Sequence, residues 1–274
     1  MNRYKEMNEF ERISNKFFRK DNKAIVYYDL DQELFSKVID QNNIRSYERP
    51  DILSIFDNKI IGIEHFEFDS FKKSHKGSNY KIEDNSIKRN FQETVNKELI
   101  NKKSITVHDE IKSTPSLDNY FSNFKNNFIQ HYNKVDDYID HIEKKFDCSN
   151  KKVSICFFAE DVSPLGSYFL DKKRKTNLLN PLYSDDIIKL LENCPKVKYI
   201  IIGTYATSEH KLIIIENKKS VLKRFKQEKP KINKSDFMSF TPQTTGFAMR
   251  ITTKEIEEHK NKQAPKNIHN NIDK

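Results

Sequence analysis

The chain of 274 residues has five glycines and no tryptophan, and the glycine-dependent phosphate-binding motifs are missing from it. It contains neither a P-loop nor a dinucleotide-binding fingerprint. The GxSxG sequence of serine hydrolases and the HExxH sequence of zinc proteases are also missing. The enzyme classes that depend on these four motifs are therefore excluded as interpretations.

Long apolar runs and closely spaced cysteines are lacking as well. No apolar run approaches the length of a membrane span, and a start with three glutamates among the first eleven residues is not typical of a signal peptide. The three cysteines, Cys148, Cys156 and Cys194, are odd in number and lack metal-ligand spacing. We therefore expect a cytoplasmic protein with reduced thiols and no membrane partner.

Positive charge exceeds negative charge along the chain. There are 49 Lys and Arg residues against 40 Asp and Glu residues, which gives a net charge of +9. This excess suits a polyanionic partner. The abundance of Lys, Asn and Ile also indicates an AT-rich genome, so codon use accounts for part of the lysine excess.

The first part of the chain predicts helices followed by strands. Apolar residues at helical spacing over 3–20 predict an amphipathic helix, and 24–28 reads as a short strand. A second helix is predicted over 31–41. Two strands then follow at 51–56 and 59–68, and side chains of the second alternate between two faces.

The later part predicts alternating helices and strands. Apolar residues every three or four positions predict one long helix over 117–146. A buried strand at 153–158 is followed by a helix from Ser184 to Leu191 and by strands at 198–203 and 211–215. The strand-helix-strand order predicts parallel pairing through a right-handed crossover.

The most informative segment is the predicted hairpin that carries Asp51 and Glu64. Pro50 and Asp51 open its first strand, Asp57 and Asn58 form the turn, and Glu64 lies near the end of the second strand. A hairpin of this size brings both carboxylates to one edge of the sheet. Two converging acids are what a divalent metal site for phosphodiester cleavage requires.

These residues resemble the sequence motif of the PD-(D/E)xK nuclease superfamily. The order of elements is similar too: an opening helix, a three-strand meander with the acids, a crossover helix and further strands. The resemblance covers residues 1–69 and 151–215. It implies an α/β fold with a mixed central sheet flanked by helices, namely a restriction-endonuclease-like core with a helical insertion at about 71–150.

The resemblance also implies a domain organisation. Residues 1–215 form one domain with its insertion, and residues 216–274 form a basic C-terminal extension. From Gln263 onward the extension has too little apolar content to fold.

The resemblance implies a metal site as well. The superfamily binds Mg²⁺ or Mn²⁺ with the two acids, here Asp51 and Glu64, and with the carbonyl of the next residue, here His65. The opening helix can add a carboxylate, here Glu9 or Glu11. The other interpretation of Asp51 is a turn residue before a strand, whereas a carboxylate in an apolar strand, such as Glu64, needs solvent, a partner or a metal.

One motif residue departs from the superfamily pattern. Phe66 stands where the lysine that orients or activates the attacking water is expected, and an apolar ring cannot do this. We expect Lys72, or its neighbours Lys73 and Lys76, to return to the site. The remaining options are two polar residues of the same strand, His65 and Glu67.

Two basic segments are candidate contacts for nucleic-acid phosphates. The denser one lies in the loop after Asp171 and consists of Lys172, Lys173, Arg174 and Lys175. The other is residues 218–234, which include Lys223 and Arg224. A solvated helix face is an equally good interpretation of the second segment.

A third group of polar residues follows the buried strand at 153–158. Acidic and small residues at the carboxyl end of such a strand are where α/β sheets bind ligands. The candidates there are Glu160, Asp161, Ser163 and Ser167. They could reach the same metal or bind a phosphate, and the alternative is a polar turn.

Three functions remain after these observations. The first is a Mg²⁺- or Mn²⁺-dependent nuclease acting on DNA, of bacterial or phage-associated origin, in restriction or phage defence; the context rests on analogy. The second is a catalytically inactive nuclease-like protein that binds nucleic acid or a protein. The third is an enzyme that acts on a nucleotide at residues 160–167. Self-association into a homodimer is left open.

Overall fold

The computed structural model describes residues 10, 13, 25–28, 32–75, 77–164, 166–206, 209–239 and 243–249. Phe10 and Ile13 are helical there, and the rest of the helix predicted over 3–20 lies outside these residues. The same holds for Glu9, Glu11, Lys76 and the polar tail. Contacts divide the chain into two units, residues 1–80 with 113–241, and residues 81–112 with 242–274.

The described elements include six α-helices and fourteen strands. The helices are α1 (Gln32–Val38), α2 (Asn79–Glu98), α3 (Leu117–Tyr132), α4 (Val135–Lys145), α5 (Asp185–Glu192) and α6 (Lys219–Glu228). The first strands are β1 (Ile25–Tyr28), β2 (Ile44–Ser46), β3 (Ile52–Phe56), β4 (Lys59–Phe68), β5 (Lys73–Ser74), β6 (Gly77–Ser78) and β7 (Ser104–Glu110). The later ones are β8 (Lys152–Asp161), β9 (Ser167–Leu170), β10 (Thr176–Leu178), β11 (Val197–Ala206), β12 (Glu209–Glu216), β13 (Phe237–Ser239) and β14 (Gln243–Met249).

A mixed sheet of seven strands forms the centre of the first unit, in the order β1-β12-β11-β8-β4-β3-β2. Strands β2, β3 and β4 form an antiparallel meander. Strand β8 is parallel to both β4 and β11. The predicted α/β class, with a mixed central sheet and helices, is therefore confirmed, and so is the parallel pairing of the strands at 153–158 and 198–203.

Strand β4 is buried on both faces, which explains its apolar composition. Phe66 and Phe68 point into a core that includes Phe157 of the adjacent β8. Ile61 and Ile63 point the opposite way, into a second core. Residues of alternate positions thus enter separate cores, as the pleat of a strand requires.

The helix predicted over 117–146 is two helices in the structure. Helix α3 begins after Ser116, whose side chain accepts the backbone N–H of Asn119, and it ends at Tyr132, with Asn133 as its C-cap. Helix α4 then begins at Val135 with two acids in its first turn, where the helix dipole favours negative charge. The apolar spacing continues across the break, so periodicity alone did not reveal the two intervening residues.

Helices α3 and α4 belong to the segment 71–150, where a helical insertion is predicted, and they lie against strands β4 and β8. Tyr120, Phe124 and Phe128 of α3 are completely buried in the core that contains Phe66 and Phe157. Both helices consequently belong to the first unit. Only residues 81–112 separate from it.

The predicted C-terminal extension, residues 216–274, contributes to both units. Helix α6 buries Val221, Leu222 and Phe225 in the core of the first unit, and β13 pairs with β9. The second unit consists of most of α2 and an antiparallel pair, β7 with β14. Within it, the Glu83 carboxylate accepts the backbone N–H of Lys112 at 2.7 Å.

The neighbours of Gly62 in β4 leave no room for a side chain at this position. A Cβ at Gly62 would lie 2.7 Å from Cγ of Pro50, 3.0 Å from Cδ1 of Ile142 and 3.1 Å from Cδ1 of Ile155. We expect Gly62→Ala to lower the free energy of unfolding by about 1–3 kcal/mol, because the proline ring cannot rotate away. Urea unfolding measures this loss.

Adding Ile142→Val to the Gly62→Ala variant provides the control. Valine lacks the methyl group that the new Cβ would crowd, so part of the lost stability should return. Two strictly additive losses would contradict a steric origin.

Candidate active site

Glu64 lies in the middle of β4, on the face covered by α3 and α4. Its carboxylate Oε1 accepts two hydrogen bonds, one from the hydroxyl of Tyr138 at 2.6 Å and one from Nδ1 of His131 at 2.7 Å. Among the described residues no hydrogen bond uses Oε2. The side chain is 9% exposed and that of His131 is 22% exposed, so the site is reached from solvent at the His131 side.

Asp51 lies immediately before β3, next to the same part of β4. Its Oδ2 accepts the backbone N–H of His65 at 2.8 Å. The backbone pairing of β3 with β4 begins at Ile52 and Ile63. Just outside this pairing, the Asp51 carboxylate instead of a backbone carbonyl accepts the N–H of β4. Asp51 is thereby fixed beside the residue that follows Glu64.

The Tyr138 hydroxyl lies within electrostatic reach of both acids. Burial raises the pKa of Tyr138 most strongly, the hydrogen bond to Glu64 adds to this rise, and the charges of Glu64 and Asp51 raise the pKa further. The charge of Arg49 acts in the opposite direction. Tyr138 is therefore a phenol that donates to Glu64, and the charges of Asp51 and Arg49 both act on it.

A line of polar side chains on α3 faces β4 at intervals of four residues. Asn123 donates to the carbonyl oxygens of Asp69 and Phe71 at 2.9 and 2.7 Å. Asn127 donates to the carbonyl of Glu67 at 2.6 Å, and His131 contacts Glu64. The three side chains bind successive points of β4 and of the segment just after it, so the helix holds His131 in register with Glu64.

Phe66, at the position where the resemblance predicts a lysine, packs against another residue of the site. The Phe66 ring stacks on the His131 ring, with centroids 5.3 Å apart and planes inclined by 19°. The Lys73 Nζ donates to Oδ1 of Asn127 at 2.8 Å, one helical turn from His131. Lys72, the first choice from the sequence, is exposed.

The imidazole of His65 lies on the opposite face of the sheet from Glu64, which corrects its assignment as a catalytic side chain. Its Nε2 is 3.1 Å from Oε2 of Glu160, and both side chains are essentially unexposed. Adjacent residues of a strand point to opposite faces, so only the backbone of His65 belongs to the site. Glu67 shares the His65 side of the strand for the same reason.

The polar segment after β8 is largely bonded within the protein. Asp161 and Ser163 are buried, and Asp161 Oδ1 accepts the backbone N–H of Ser163 at 2.9 Å. The Ser163 hydroxyl accepts the backbone N–H of Ser70 at 3.1 Å. Asp161 Oδ2 and Ser167 Oγ have no hydrogen-bond partner among the described atoms. Ser163 is thus part of the packing between the ends of β4 and β8.

Burial raises the pKa of the Asp161 carboxyl to about 7. The hydrogen bonds from Ser163 lower this pKa, and the charges of Asp69 and Glu160 raise it. Removing a carboxylate from water disfavours its charged form. Asp161 is therefore a neutral or half-protonated acid in the folded protein near neutral pH.

A metal ion is compatible with the site as a pair of carboxylates. The described residues contain no group of three or more His, Cys, Asp or Glu side chains arranged for a metal. Two carboxylates with a backbone carbonyl and retained water are nevertheless sufficient for Mg²⁺. The groups that would hold the ion are Oε2 of Glu64, the carboxylate of Asp51 and the backbone carbonyl of His65.

Three residues of this site were missed in the sequence: His131, Tyr138 and Arg49. His131 and Tyr138 occupy inward positions of a stripe that is otherwise mostly aromatic or aliphatic, and the stripe was interpreted as packing surface. A histidine and a tyrosine among phenylalanines need polar partners when buried, and this requirement could have identified them. No sequence pattern distinguishes Arg49 from other surface arginines.

The predicted basic residues lie on two different elements. Lys172, Lys173, Arg174 and Lys175 are exposed in the turn between β9 and β10. Lys223 and Arg224 are on the solvent side of α6, opposite its buried face. Arg224 Nε is 3.8 Å from Glu228 Oε1 one turn later.

None of the described helices has the length and apolar character needed to cross a membrane. The chain matches no protein-family model, no curated protein and no solved structure.

Proposed function

We propose that the chain is a divalent-metal-dependent nuclease that cleaves DNA phosphodiester bonds, with a restriction-endonuclease-like core. The observation that carries the proposal is the placement of two acids on one hairpin: Glu64 lies in β4, and the Asp51 carboxylate accepts the backbone N–H of the residue that follows Glu64. Two acids from neighbouring strands of a meander supply negative charge for a cation, and an arginine nearby can contact a phosphate.

The connection of the strands supports the same proposal. The antiparallel meander β2-β3-β4 precedes the helices α3 and α4 and the parallel strand β8 along the chain, with β5, β6, α2 and β7 between β4 and α3. Apart from these intervening elements, this is the order found in the PD-(D/E)xK superfamily. Mg²⁺ or Mn²⁺ bound by Asp51 and Glu64 would polarise the scissile phosphate and lower the pKa of a bound water.

The chain itself supplies a group that can take a proton. A carboxylate accepts hydrogen bonds, so the contact with Glu64 requires that His131 donate from Nδ1, and a neutral imidazole then carries its lone pair on Nε2. Within the described part of the chain Nε2 has no hydrogen-bond partner. We assign to His131 the role of the general base that the superfamily lysine would otherwise support.

The test of the proposal uses purified protein, supercoiled plasmid and Mg²⁺ or Mn²⁺. Nicking or linearisation that requires the metal and stops with EDTA is expected. Intact plasmid with both metals, together with unchanged thermal stability when the metals are added, would overturn the proposal.

We expect His131→Ala to reduce cleavage about a hundredfold, because general base catalysis contributes at least that much. Free imidazole should restore part of the activity, since the removed side chain is partly exposed. Lys73→Met serves as the comparison and should retain most activity, because Lys73 reaches Asn127 rather than Glu64. A large loss in Lys73→Met together with full activity in His131→Ala would return the role to the lysine.

The second candidate function is an inactive nuclease-like protein that binds nucleic acid or a protein. Phe66 at the lysine position is the observation that favours it, since its ring packs on His131 and on the core rings of Phe124 and Phe157. Binding of DNA that is unaffected by EDTA, without cleavage under any metal condition, would support this function.

A further inference from the structure

The turn between β9 and β10 exposes four consecutive cations on a well-defined backbone. The Asp171 carboxylate accepts the backbone N–H groups of Lys173 and Lys175 at 2.8 and 2.9 Å. The backbone N–H of Asp171 also donates to the carbonyl of Lys175, and the carbonyl of Asp171 accepts the backbone N–H of Arg174. These contacts lower the pKa of Asp171, with the backbone N–H of Lys175 as the largest cause. The acid is thus directed at the backbone, and the cationic side chains of the turn are left in solvent.

Arg174 adopts a backbone conformation that disfavours side chains. Its φ is 56°, in the left-handed region where glycine or asparagine is found most easily. A turn residue followed by a left-handed position is the usual geometry of a short hairpin loop. An arginine at that position strains the backbone and places a guanidinium in the turn between β9 and β10. Backbone strain of this kind is found at functional sites.

A cleft of about 750 Å³ lies between this turn and the segment after α6. Its walls carry Lys172, Lys173, Lys175 and Lys231, and Leu170 and Pro230 supply apolar surface between them. Two aspartates also line it, but both bind the backbone: Asp171 as described above, and Asp236 through the N–H of Asn233 at 3.1 Å.

The cations of this cleft are unpaired as far as the structure describes the chain, although Lys175 lies close enough to Asp171 to lower the pKa of that carboxyl. Among the described residues, none of the four lysines or Arg174 forms an ion pair. By contrast Lys229 and Lys234, close to the cleft in sequence, are paired with Asp185 and Asp118. Binding a polyanion therefore costs the cleft no existing salt bridge.

We propose that this cleft, lined by Lys172, Lys173, Lys175 and Lys231, binds the phosphodiester backbone of a nucleic acid together with Arg174 of the adjoining turn. The choice of nucleic acid over another polyanion rests on the proposed nuclease function. Consecutive lysines neutralise neighbouring phosphates, and the apolar surface of Leu170 and Pro230 suits the sugars between them. The cleft supplies affinity without base specificity, since no groove-reading element is part of it.

The test measures binding of a short fluorescent DNA duplex in EDTA over a range of KCl concentrations. EDTA prevents metal-dependent cleavage, so binding and cleavage can fail separately. We expect Lys172→Gln combined with Lys173→Gln to weaken binding and to reduce the slope of log K against log salt by about 2. The control, Lys151→Gln with Lys152→Gln, changes the same charge at the opposite end of β8 and should leave the slope unchanged.

Arg174→Gly gives an independent check because its two effects have opposite signs. Glycine relieves the left-handed backbone, so the melting temperature should rise, while DNA binding weakens and the salt slope falls by about 1. Binding to anionic phospholipid vesicles in place of DNA would overturn the proposal, as would equal losses in the cleft variant and its control. Single-stranded RNA as a competitor distinguishes the two kinds of nucleic-acid backbone.

Discussion

Replacing Glu64 with glutamine is expected to lower metal-dependent cleavage about a thousandfold or more while leaving the protein folded. A metal ion contributes several kcal/mol to charge stabilisation in the transition state, and each 1.4 kcal/mol or so is a factor of ten in rate. Glutamine keeps the oxygen that accepts from Tyr138 and His131, so the packing of α3 and α4 on β4 should be maintained. Only the charge at Oε2 is lost.

Glu67→Gln is the matched control for this variant. It removes the same charge from the same strand, but its side chain points to the opposite face of the sheet. Cleavage should therefore remain close to that of the parent. Titration calorimetry with Mn²⁺ should show weaker binding for Glu64→Gln alone. Undiminished cleavage by Glu64→Gln, in a preparation whose activity follows the protein through purification, would end the assignment of this site.

The second large effect is expected for stability as a function of pH at Asp161. The folded pKa of about 7 lies above the ordinary value of 3.8, so the folded state holds the proton more tightly than the unfolded state does. Stability is consequently lost as the pH rises from about 4 to about 7, by up to about 4 kcal/mol for a shift of this size. Asp161→Asn cannot ionise and should escape this loss.

Urea unfolding of the parent and Asp161→Asn at several pH values measures the difference. The two should have similar stabilities near pH 4, and the variant should be the more stable near pH 8 by about the same few kcal/mol. Asp171→Asn is a control of opposite sign, because the pKa of Asp171 is lowered and its charge stabilises the fold at high pH. A constant difference between parent and Asp161→Asn at all pH values would show that Asp161 is ionised without cost.

Local patterns in the sequence predicted the core of the fold but not its division into units. The alternation in 59–68 predicted β4, and the apolar run at 153–158 predicted most of β8. Both strands are buried on both faces, so their apolar composition was a strong signal. The break at Asn133 interrupts no periodicity, so α3 and α4 were taken as one helix. Strand β14 was missed, since its pairing with β7 joins residues more than 130 positions apart and depends on contacts that propensity does not contain.

The site was predicted as far as its residues lie close together in sequence. Asp51 and Glu64 belong to one hairpin, and turn geometry alone brings them near each other. His131 and Tyr138 come from helices more than sixty positions later, and their approach depends on how α3 and α4 cross the sheet. His65 was misassigned because adjacency along a strand was treated as adjacency in space.

The line of Asn123, Asn127 and His131 on α3 has a consequence for changes in chain length. A single inserted or deleted residue between Asn127 and His131 would rotate everything after it by about 100° around the helix axis. The imidazole would then leave Glu64 even though every side chain of the site is still present in the sequence. Helix α3 should therefore tolerate exchanges of exposed residues, such as Asn126, far better than any change in its number of residues.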